Sequence, residues 1–430
     1  MENTVKPRVL VIGTNPWRED GTAHTLKNIF SCWDPQSLAL IYTRSGLPFT
    51  NVASRFFQIS ENLVLKNLHK PWVQVGNEVH STKEVDMSIT KDEEQRYARA
   101  HKHHSMLLTF CREFVWLLGH WRSRALSAFI SDFDPDMLFV PIYPTVYMGW
   151  IQRYVIRKSK KPFVCYLADD NYSYDSCKGV LSYVHRFWLR KNVRWLSTHC
   201  RQMYVIVEKE KEETDRLFGT NSIILTKSID FSNRPFDFQK VNRPINFVYT
   251  GSLIIGRDKT LAIIADAIND LNKDGINAVL NIYSKDEPVS DIMARLNSGS
   301  SRHNGFIPRD NVDKVQQSAD VVVFAEALDG KEANIARLSF STKITDYLAN
   351  GKCVFAVGKT DIAPIDYFMR NDSAIIAHTK QEVYNQIERI ITQPQIIEDY
   401  SRKAYECAVR NHEKSVVDRR FIDTMLNVLR

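Results

Sequence analysis

Residues 247–268 read FVYTGSLIIGRDKTLAIIADAI, and this stretch decides the fold. A short apolar run ends in Thr250-Gly251-Ser252, and an apolar period of three to four residues begins after Arg257. This order predicts a strand, a glycine turn and a helix. Because glycine lets backbone N–H groups approach a ligand and arginine matches phosphate oxygens, the turn indicates a phosphate site. The pattern leaves open a plain turn with a solvent-exposed arginine.

The same alternation of strands and helices occupies both halves of the chain. Apolar runs predict strands at 9–12, 38–42, 137–141, 163–167 and 203–207, and then at 246–250, 278–283, 321–325 and 353–357. Predicted helices lie at 92–131, 180–198, 258–273, 288–297 and 342–350. Strands of near-continuous apolar residues between helices indicate an α/β protein with parallel sheets covered on both faces.

One segment separates the halves. Residues 229–245 contain Pro235 and Pro244 and have no helical period, which is typical of a linker. We therefore predict an N-terminal Rossmann-like domain at 1–235, a C-terminal Rossmann-like domain at 236–410 and a final helix at 411–430, with a return to the first domain as one option for that helix. Two doubly wound domains joined by a linker predict a cleft between them, where such sheets bind ligands.

Composition narrows the function classes. A chain of 430 residues with 44% hydrophobic and 25% charged residues buries a large core, which excludes a disordered or disulfide-stapled protein. Its seven cysteines include no C-x-x-C pair, and no signal peptide or membrane-spanning run is present, so we expect a cytoplasmic protein. Residues 1–240 contain 33 Lys and Arg against 25 Asp and Glu, whereas 241–430 contain 24 against 25, which predicts an anionic partner for the first half.

A second motif, RLSFSTKITDYLANGKCVFAVG, spans residues 337–358. Its Ser and Thr residues precede a predicted helix, and Gly351 follows it as a C-cap. Lys343 falls in the first turn, where it opposes the helix dipole, so its position makes sense if an anion binds there. Asp346 lies three residues later on the same helix face. An ordinary capped helix is the alternative.

These motifs, in order, resemble a known family. GSLIIGR (251–257), HNGFIPRDNVDKVQQSADVVVFAEA (303–327) and STKITDYLANGKCVFAVG (341–358) resemble the donor-binding half of GT-B glycosyltransferases, most of all the bacterial members of family 4. GTNPWREDGTAHTLKNIFSCW (13–33) and PFVCYLADDNY (162–172) resemble the N-terminal domain of bacterial polysaccharide-assembly transferases. The resemblance covers most of the chain and implies two Rossmann-like domains of the GT-B fold facing a cleft.

The resemblance also implies a donor site. Arg257 and Lys343 would bind the diphosphate of a UDP- or GDP-sugar, and Asp346 would bind the ribose. The full set of donor-binding candidates is Gly251, Ser252, Arg257, His303, Ser341, Thr342, Lys343 and Asp346. The family has a first acid at the position of Leu338, so this chain departs from the pattern. We choose Glu326 as the replacement because it ends a strand, with Asp329 and Glu332 as alternatives.

The first half supplies candidates for the acceptor side. Gly13, Thr14, Asn15, Gly21 and His24 form or flank a glycine-containing loop after the first strand. Asp169 and Asp170 follow the strand at 163–167, so they are candidates to orient or deprotonate the acceptor hydroxyl. Turn residues are the equal alternative for both.

No metal site is expected. Asp132, Asp134 and Asp136 precede a strand, which is typical of a turn and not of a metal-binding D-x-D motif. His101, His103 and His104 lie in a charged helical pattern without a fourth ligand. Fixed cations stabilise the leaving diphosphate without a metal, so no cofactor is predicted.

Two segments mix basic and aromatic residues, FCREFVWLLGHWRSR (110–124) and VHRFWLRKNVRWL (184–196). Such helices bind anionic membranes, although helices that cover a sheet have a similar composition. A peripheral location at the inner membrane face is therefore an option beside the cytoplasm. No nucleic-acid-binding signature is present.

The leading hypothesis is a metal-independent hexosyltransferase that moves a sugar to a lipid-linked or saccharide acceptor in surface polysaccharide biosynthesis, with retention of configuration as the family implies. A sugar-nucleotide 2-epimerase of the same architecture is one alternative. A non-catalytic nucleotide-sugar or nucleic-acid binder is another, favoured by the missing acid at Leu338.

Overall fold

The structure, a computed structural model, describes residues 6–18, 24–81 and 106–430. It divides into two compact units. Unit 1 comprises Met1–Ile206, Lys211–Thr226 and Asp418–Arg430, and unit 2 comprises Val207–Glu210 and Lys227–Val417. The chain therefore passes from unit 1 to unit 2 after Thr226, before the linker expected at 229–245. That segment lies wholly within unit 2.

Unit 1 is built on an eight-stranded sheet of order β4-β3-β2-β1-β5-β6-β7-β8. Its strands are β1 (Val9–Ile12), β2 (Leu38–Tyr42), β3 (Arg55–Gln58), β4 (Asn77–Val79), β5 (Met137–Pro141), β6 (Phe163–Leu167), β7 (Gln202–Val205) and β8 (Ile223–Ile224). Every pair is parallel except β3 with β4. The central strands are buried throughout, because helices cover both faces of a parallel sheet.

The described helices of unit 1 connect these strands. They are α1 (His24–Ile29), α2 (Glu61–His69), α3 (Met106–Leu118), α4 (Arg124–Phe133), α5 (Val146–Ser159), α6 (Gly179–His199) and α7 (Glu208–Phe218), the first residues of α7 being grouped with unit 2. Ser123 caps α4 by accepting a hydrogen bond from the Leu126 N–H.

Unit 2 has a six-stranded, wholly parallel sheet of order β11-β10-β9-β12-β13-β14. Its strands are β9 (Ile245–Thr250), β10 (Ala278–Tyr283), β11 (Ser301–His303), β12 (Val321–Ala325), β13 (Cys353–Val357) and β14 (Ile375–Ala377). Its helices are α8 (Arg257–Leu271), α9 (Ser290–Leu296), α10 (Arg309–Gln317), α11 (Gly330–Ala333), α12 (Thr342–Ala349), α13 (Ala363–Asn371), α14 (Lys380–Thr392) and α15 (Gln395–His412), after which α16 (Lys414–Leu429) begins.

The predicted α/β class with two parallel sheets is confirmed, and several strand bounds coincide with those expected. The helix expected at 92–131 is described from residue 106 onward and is interrupted between α3 and α4. Strand β3 and the short edge strands β4, β8, β11 and β14 were not predicted, because β3 has only two apolar residues in sequence and the edge strands have two or three residues each, too little apolar pattern to detect.

The C-terminal segment returns to unit 1. Phe421 of α16 lies with its ring centroid 5.3 Å from that of Phe30, 6.1 Å from that of Phe139 and 5.7 Å from that of Tyr204. Phe421 is buried, and contacts of this kind between aromatic rings stabilise a core beyond the area that they bury. This packing gives the last helix a structural role in unit 1.

A buried histidine binds Lys227, the residue at which the main segment of unit 2 begins. His412 lies at the end of α15, where its Nδ1 is 3.1 Å from the Lys227 carbonyl oxygen and its Nε2 is 2.9 Å from the Tyr367 hydroxyl. Nδ1–H therefore donates to Lys227, and Nε2 accepts from Tyr367. Burial lowers the pKa of His412 from 6.5 to about 4, and the charge of Lys227 contributes. The folded protein thus requires the neutral imidazole.

We expect stability to decline as the pH falls from about 6.5 to 4, because in this range His412 is protonated in the unfolded chain but remains neutral in the native state. Above about pH 6.5 the neutral imidazole makes its full contribution to the free energy of unfolding. About 3 kcal/mol of that free energy is lost when the pH has fallen to about 4. Urea unfolding across this pH range measures the effect. His412→Asn, which keeps a donor but does not titrate, is expected to flatten this step; an unchanged pH dependence in the variant contradicts the assignment.

Candidate functional site

The topology of unit 2 singles out one point on its sheet. Strand order reverses between β9 and β12, since the chain continues from β9 to β10 on one side and from β12 to β13 on the other. Ligands of doubly wound sheets bind outside the carboxyl ends of the strands at such a reversal. Gly251 immediately follows β9, and Glu326 immediately follows β12. Gly251 and Glu326 therefore lie at the edge of the sheet where this kind of fold binds its ligands.

Lys343 reaches this point from the first turn of α12. Its Nζ occupies the space that a Cβ on Gly251 would require, and it lies 5.4 Å from the centroid of the Tyr249 ring. Gly251 has a φ of 149°, which L side chains rarely adopt. The glycine is thus needed for two reasons, backbone conformation and the close approach of an ammonium group.

The ammonium group of Lys343 has no countercharge in contact. No carboxylate of the described residues lies within ion-pair distance of its Nζ. Burial, and then the positive charge of Arg257, lower the pKa of Lys343 to about 8. The negative charges of Glu326, which pairs with Arg257, and of Asp286 raise this pKa but offset the decrease only in part, so an anion beside the two cations would be stabilised.

Arg257, the first residue of α8, is oriented by Glu326. Its Nε donates to Glu326 Oε2 at 2.9 Å and its Nη2 donates to Oε1 at 2.7 Å, a bidentate pair. Glu326 is buried, and its backbone is also fixed, because the Glu326 N–H donates to Val357 and its carbonyl accepts from Thr260. Nη1 of Arg257 makes no hydrogen bond within the described part of the chain, so both of its N–H donors remain for a ligand.

The loop between β9 and α8 is held rigidly. Asp286, after β10, accepts hydrogen bonds from Ser252 Oγ at 2.6 Å and from the Leu253 N–H at 2.8 Å. Ile255 has a φ of 62°, an unusual value for a β-branched residue. Such a conformation costs about 1–3 kcal/mol and persists only where the surroundings enforce it.

The other predicted residues of α12 lie at its start and one turn further on. Ser341 is the N-cap residue and Thr342 begins the helix, but the Ser341 side chain makes no capping hydrogen bond. Asp346 forms an ion pair with Lys227 through Oδ1. Its Oδ2 accepts no hydrogen bond from any residue that the structure describes, so this oxygen has capacity to accept from a hydroxyl.

His303 ends β11, at the same edge of the sheet. Its backbone N–H donates to Asn297 Oδ1 at 2.9 Å. The Nε2 atom is buried without a hydrogen-bond partner among the described residues. A buried ring nitrogen of this kind is rare and calls for a ligand or water.

Leu338 is buried, so the position of the family's first acid packs into the core. Of the three acids considered as replacements, Glu326 is bound to Arg257, and Glu332 lies 3.6 Å from Lys259. Asp329 is the N-cap residue of the short helix α11. Glu326 is the one of these in direct contact with a predicted phosphate-binding residue.

Unit 1 has an equivalent reversal of strand order between β1 and β5. Gly13, Thr14 and Asn15 follow β1; a Cβ on Gly13 would lie 3.2 Å from the Tyr143 hydroxyl, which follows β5. Asn15 Oδ1 is buried without a partner in the described chain. His24 is the first residue of α1, and Gly21 lies outside the described residues, as do His101, His103 and His104.

Asp169 and Asp170 follow β6 and differ from each other. Asp170 accepts hydrogen bonds from the Tyr172 and Ser173 N–H groups at 3.2 and 2.8 Å, and Arg186 donates to its carbonyl oxygen at 2.7 Å. It therefore holds the turn after β6, as the alternative interpretation of the sequence expected. Asp169 is exposed.

Sequence reasoning missed three residues of this region: Tyr249, Asp286 and Lys227. Tyr249 reads only as a strand residue, although its hydroxyl donates to the Ser252 carbonyl at 2.5 Å. Asp286 and Lys227 follow or precede strands at positions where no spacing rule marks them. The end of a parallel strand is the one signal that could have suggested Asp286.

Residues 6–18, 24–81 and 106–430, which the structure describes, contain no group of three or more His, Cys, Asp or Glu placed to hold a metal ion. They also include no helix with the length and apolar character needed to cross a bilayer.

Comparison with known proteins identifies the fold. No family model and no curated sequence matches the chain. Among solved structures, Anabaena HepE in complex with UDP has a TM-score of 0.62 at 11% identity, with 98% of this chain and 100% of that chain covered. TarM has a TM-score of 0.61 at 8% identity, with 99% of each chain covered. The pneumococcal O-GlcNAc transferase GtfA has a TM-score of 0.50 at 12% identity, covering 72% of this chain and 60% of that one. The GT-B fold predicted from the sequence is confirmed.

Replacing Lys343 by methionine is expected to raise the free energy of unfolding by about 1–3 kcal/mol, because the ammonium group is destabilised in the native state at neutral pH. Denaturant unfolding measures this change. Lys273→Met, at a lysine with 72% of its side chain exposed, is the matched control and should change stability by less than about 0.5 kcal/mol. A loss of stability in Lys343→Met would mean that Lys343 supports the fold and is not kept for a ligand.

Proposed function

We propose, from the GT-B fold and the cation pair of unit 2, that the chain is a glycosyltransferase that uses a nucleotide sugar as donor. The observation that carries the proposal is Lys343, a largely buried ammonium beside the guanidinium of Arg257 with no carboxylate in contact among the described residues. A diphosphate supplies the missing negative charge. HepE was solved with UDP, with UDP and glucose, and with UDP-glucose, which favours UDP over GDP as the nucleotide here.

The proposed donor site follows the carboxyl edge of the unit 2 sheet. Lys343 and the free Nη1 of Arg257 bind the diphosphate, and Asp346 Oδ2 accepts hydrogen bonds from the ribose. Ser252, Ser341, Thr342 and His303 complete the set, the last through its unpartnered Nε2. Glu326 acts by orienting Arg257, and its remaining lone pairs are available to a sugar hydroxyl.

The chemistry of transfer suits these groups. When the glycosidic bond to the diphosphate breaks, negative charge develops on the leaving phosphate, and fixed cations stabilise it. Removal of one such group typically lowers the rate about 10²–10³-fold. Because two side-chain cations provide this stabilisation, we propose metal-independent transfer, and the family resemblance supports retention of configuration.

We assign acceptor recognition to unit 1. Asn15 Oδ1 is a buried acceptor atom without a partner in the described chain, next to Gly13 and Thr14. Asp169 is the candidate base, since the carboxylate of Asp170 is engaged by its own turn. The family resemblance supports a lipid-linked or saccharide acceptor, a hexosyl donor and a role in bacterial surface polysaccharide biosynthesis in the cytoplasm, at the inner membrane face.

The test is a pair of glycine variants. In Gly251→Ala the new methyl group overlaps Lys343 Nζ and displaces it, so UDP affinity should fall about 10–100-fold, the loss of a hydrogen bond to a charged group. Gly275→Ala is the matched control, because Gly275 has a similar φ of 142° with no atom within 4 Å of the new methyl group. Isothermal titration calorimetry with UDP measures both.

Equal UDP affinity in the two variants would contradict the proposed site. Release of UDP from UDP-glucose that depends on an added saccharide or lipid-linked acceptor identifies a transferase. Conversion of the sugar without any acceptor identifies an epimerase, and binding without turnover identifies a binder; either outcome overturns the proposed reaction.

A further inference from the structure

Two neighbouring helices of unit 1 leave large apolar side chains in solvent. On α6, Val180, Val184, Phe187 and Trp188 are exposed, with 77% of Val180 and 52% of Trp188 accessible. These residues recur at spacings of three and four, so they form one stripe along about two and a half turns of the helix. The opposite face, which includes Leu189, Val193 and Leu196, is buried. The exposed stripe is therefore additional to the face that packs on the sheet.

Helix α3 extends this surface. Its exposed residues Leu107, Phe114 and Leu118 lie on one face, and Phe114 is 59% accessible. The two helices are joined by a buried pair, because His185 of α6 has its Nε2 3.2 Å from Glu113 Oε1 and its ring 6.0 Å from that of Phe110. Glu113 also accepts hydrogen bonds from the Val146 and Tyr147 N–H groups at the start of α5. These buried contacts fix α3 and α6 against each other, and each helix keeps its own apolar face exposed.

The charged side chains of α6 are all positive. Helix α6 contains Arg186, Arg190, Lys191 and Arg194 and no Asp or Glu. Lys191 and Arg194 are exposed, and Lys191 Nζ lies 4.6 Å from the centroid of the Phe187 ring and 4.9 Å from that of Trp188. Cations placed directly beside exposed aromatic rings match a lipid interface, where rings enter the acyl boundary and cations meet phosphate headgroups.

We propose that the exposed faces of α3 and α6 form a docking surface for a bilayer containing anionic phospholipids. A monomer in water seldom exposes apolar side chains of this size side by side, and the lack of acidic residues on α6 favours an anionic partner over a second copy of the same basic surface, which would repel it. The inference concerns binding of the protein to lipid and does not depend on the transfer reaction proposed above.

Vesicle flotation tests the proposal with the full chain. The wild type should float with vesicles of phosphatidylcholine and phosphatidylglycerol, bind pure phosphatidylcholine vesicles weakly, and dissociate as salt is added. Phe187→Ser with Trp188→Ser should lower the partition coefficient at least about tenfold, because the variant lacks two aromatic rings that would transfer from water into the bilayer. Lys191→Glu with Arg194→Glu should remove the preference for phosphatidylglycerol.

The matched control is Ile276→Ser with Val289→Ser, two residues of unit 2 that are 67% and 69% exposed, and it should bind vesicles like the wild type. Since all of these substituted residues are exposed, each surface variant should have the circular dichroism spectrum and the UDP affinity of the wild type. Conversely, Gly251→Ala, which alters the proposed donor site, should bind vesicles like the wild type. The proposal is wrong if the wild type does not float, if the ring variant floats equally, or if light scattering shows a dimer that the ring variant dissociates without any vesicle binding.

Discussion

The ammonium group of Lys343 is held in unit 2 at a position that is unfavourable for a positive charge. It lies in the recess left by the absent side chain of Gly251, beside a second cation, Arg257, and contacts no carboxylate of the described residues. An arrangement that lowers a lysine pKa to about 8 opposes folding. Proteins retain such features where function requires them, and the diphosphate that we propose as ligand would supply the compensation.

The fold accounts for the position of these groups. Parallel strands place the ends of β9 and β12 at the same edge, so Gly251 and Glu326 are neighbours although they are far apart in sequence. Helix α8 then brings Arg257 to Glu326, and helix α12 brings Lys343 to Gly251. Asp286 holds the intervening loop through Ser252 and Leu253, so the cations are positioned before a ligand binds.

The sequence predicted the sheets because apolar strand runs, glycine turns and helix starts are local patterns. The nearness of Arg257 and Lys343 was implied by the family resemblance and not by any local pattern. The sequence did not predict their partners. The pair of Arg257 with Glu326 joins residues 69 positions apart, and that of Lys227 with Asp346 joins residues 119 positions apart. Such pairs depend on strand order and loop path, which no spacing rule gives. The same limit applies to Glu113 and His185, which join the two helices with exposed apolar faces.

The most direct measurement is the pKa of Lys343 itself, from an NMR titration of the protein with ¹³C-labelled lysine, the resonance being assigned with Lys343→Arg. The account predicts a pKa near 8 in the free protein and a rise of at least about one unit on saturation with UDP, since a bound diphosphate favours the charged form. A pKa close to the ordinary lysine value of 10.5 that UDP leaves unchanged would contradict it.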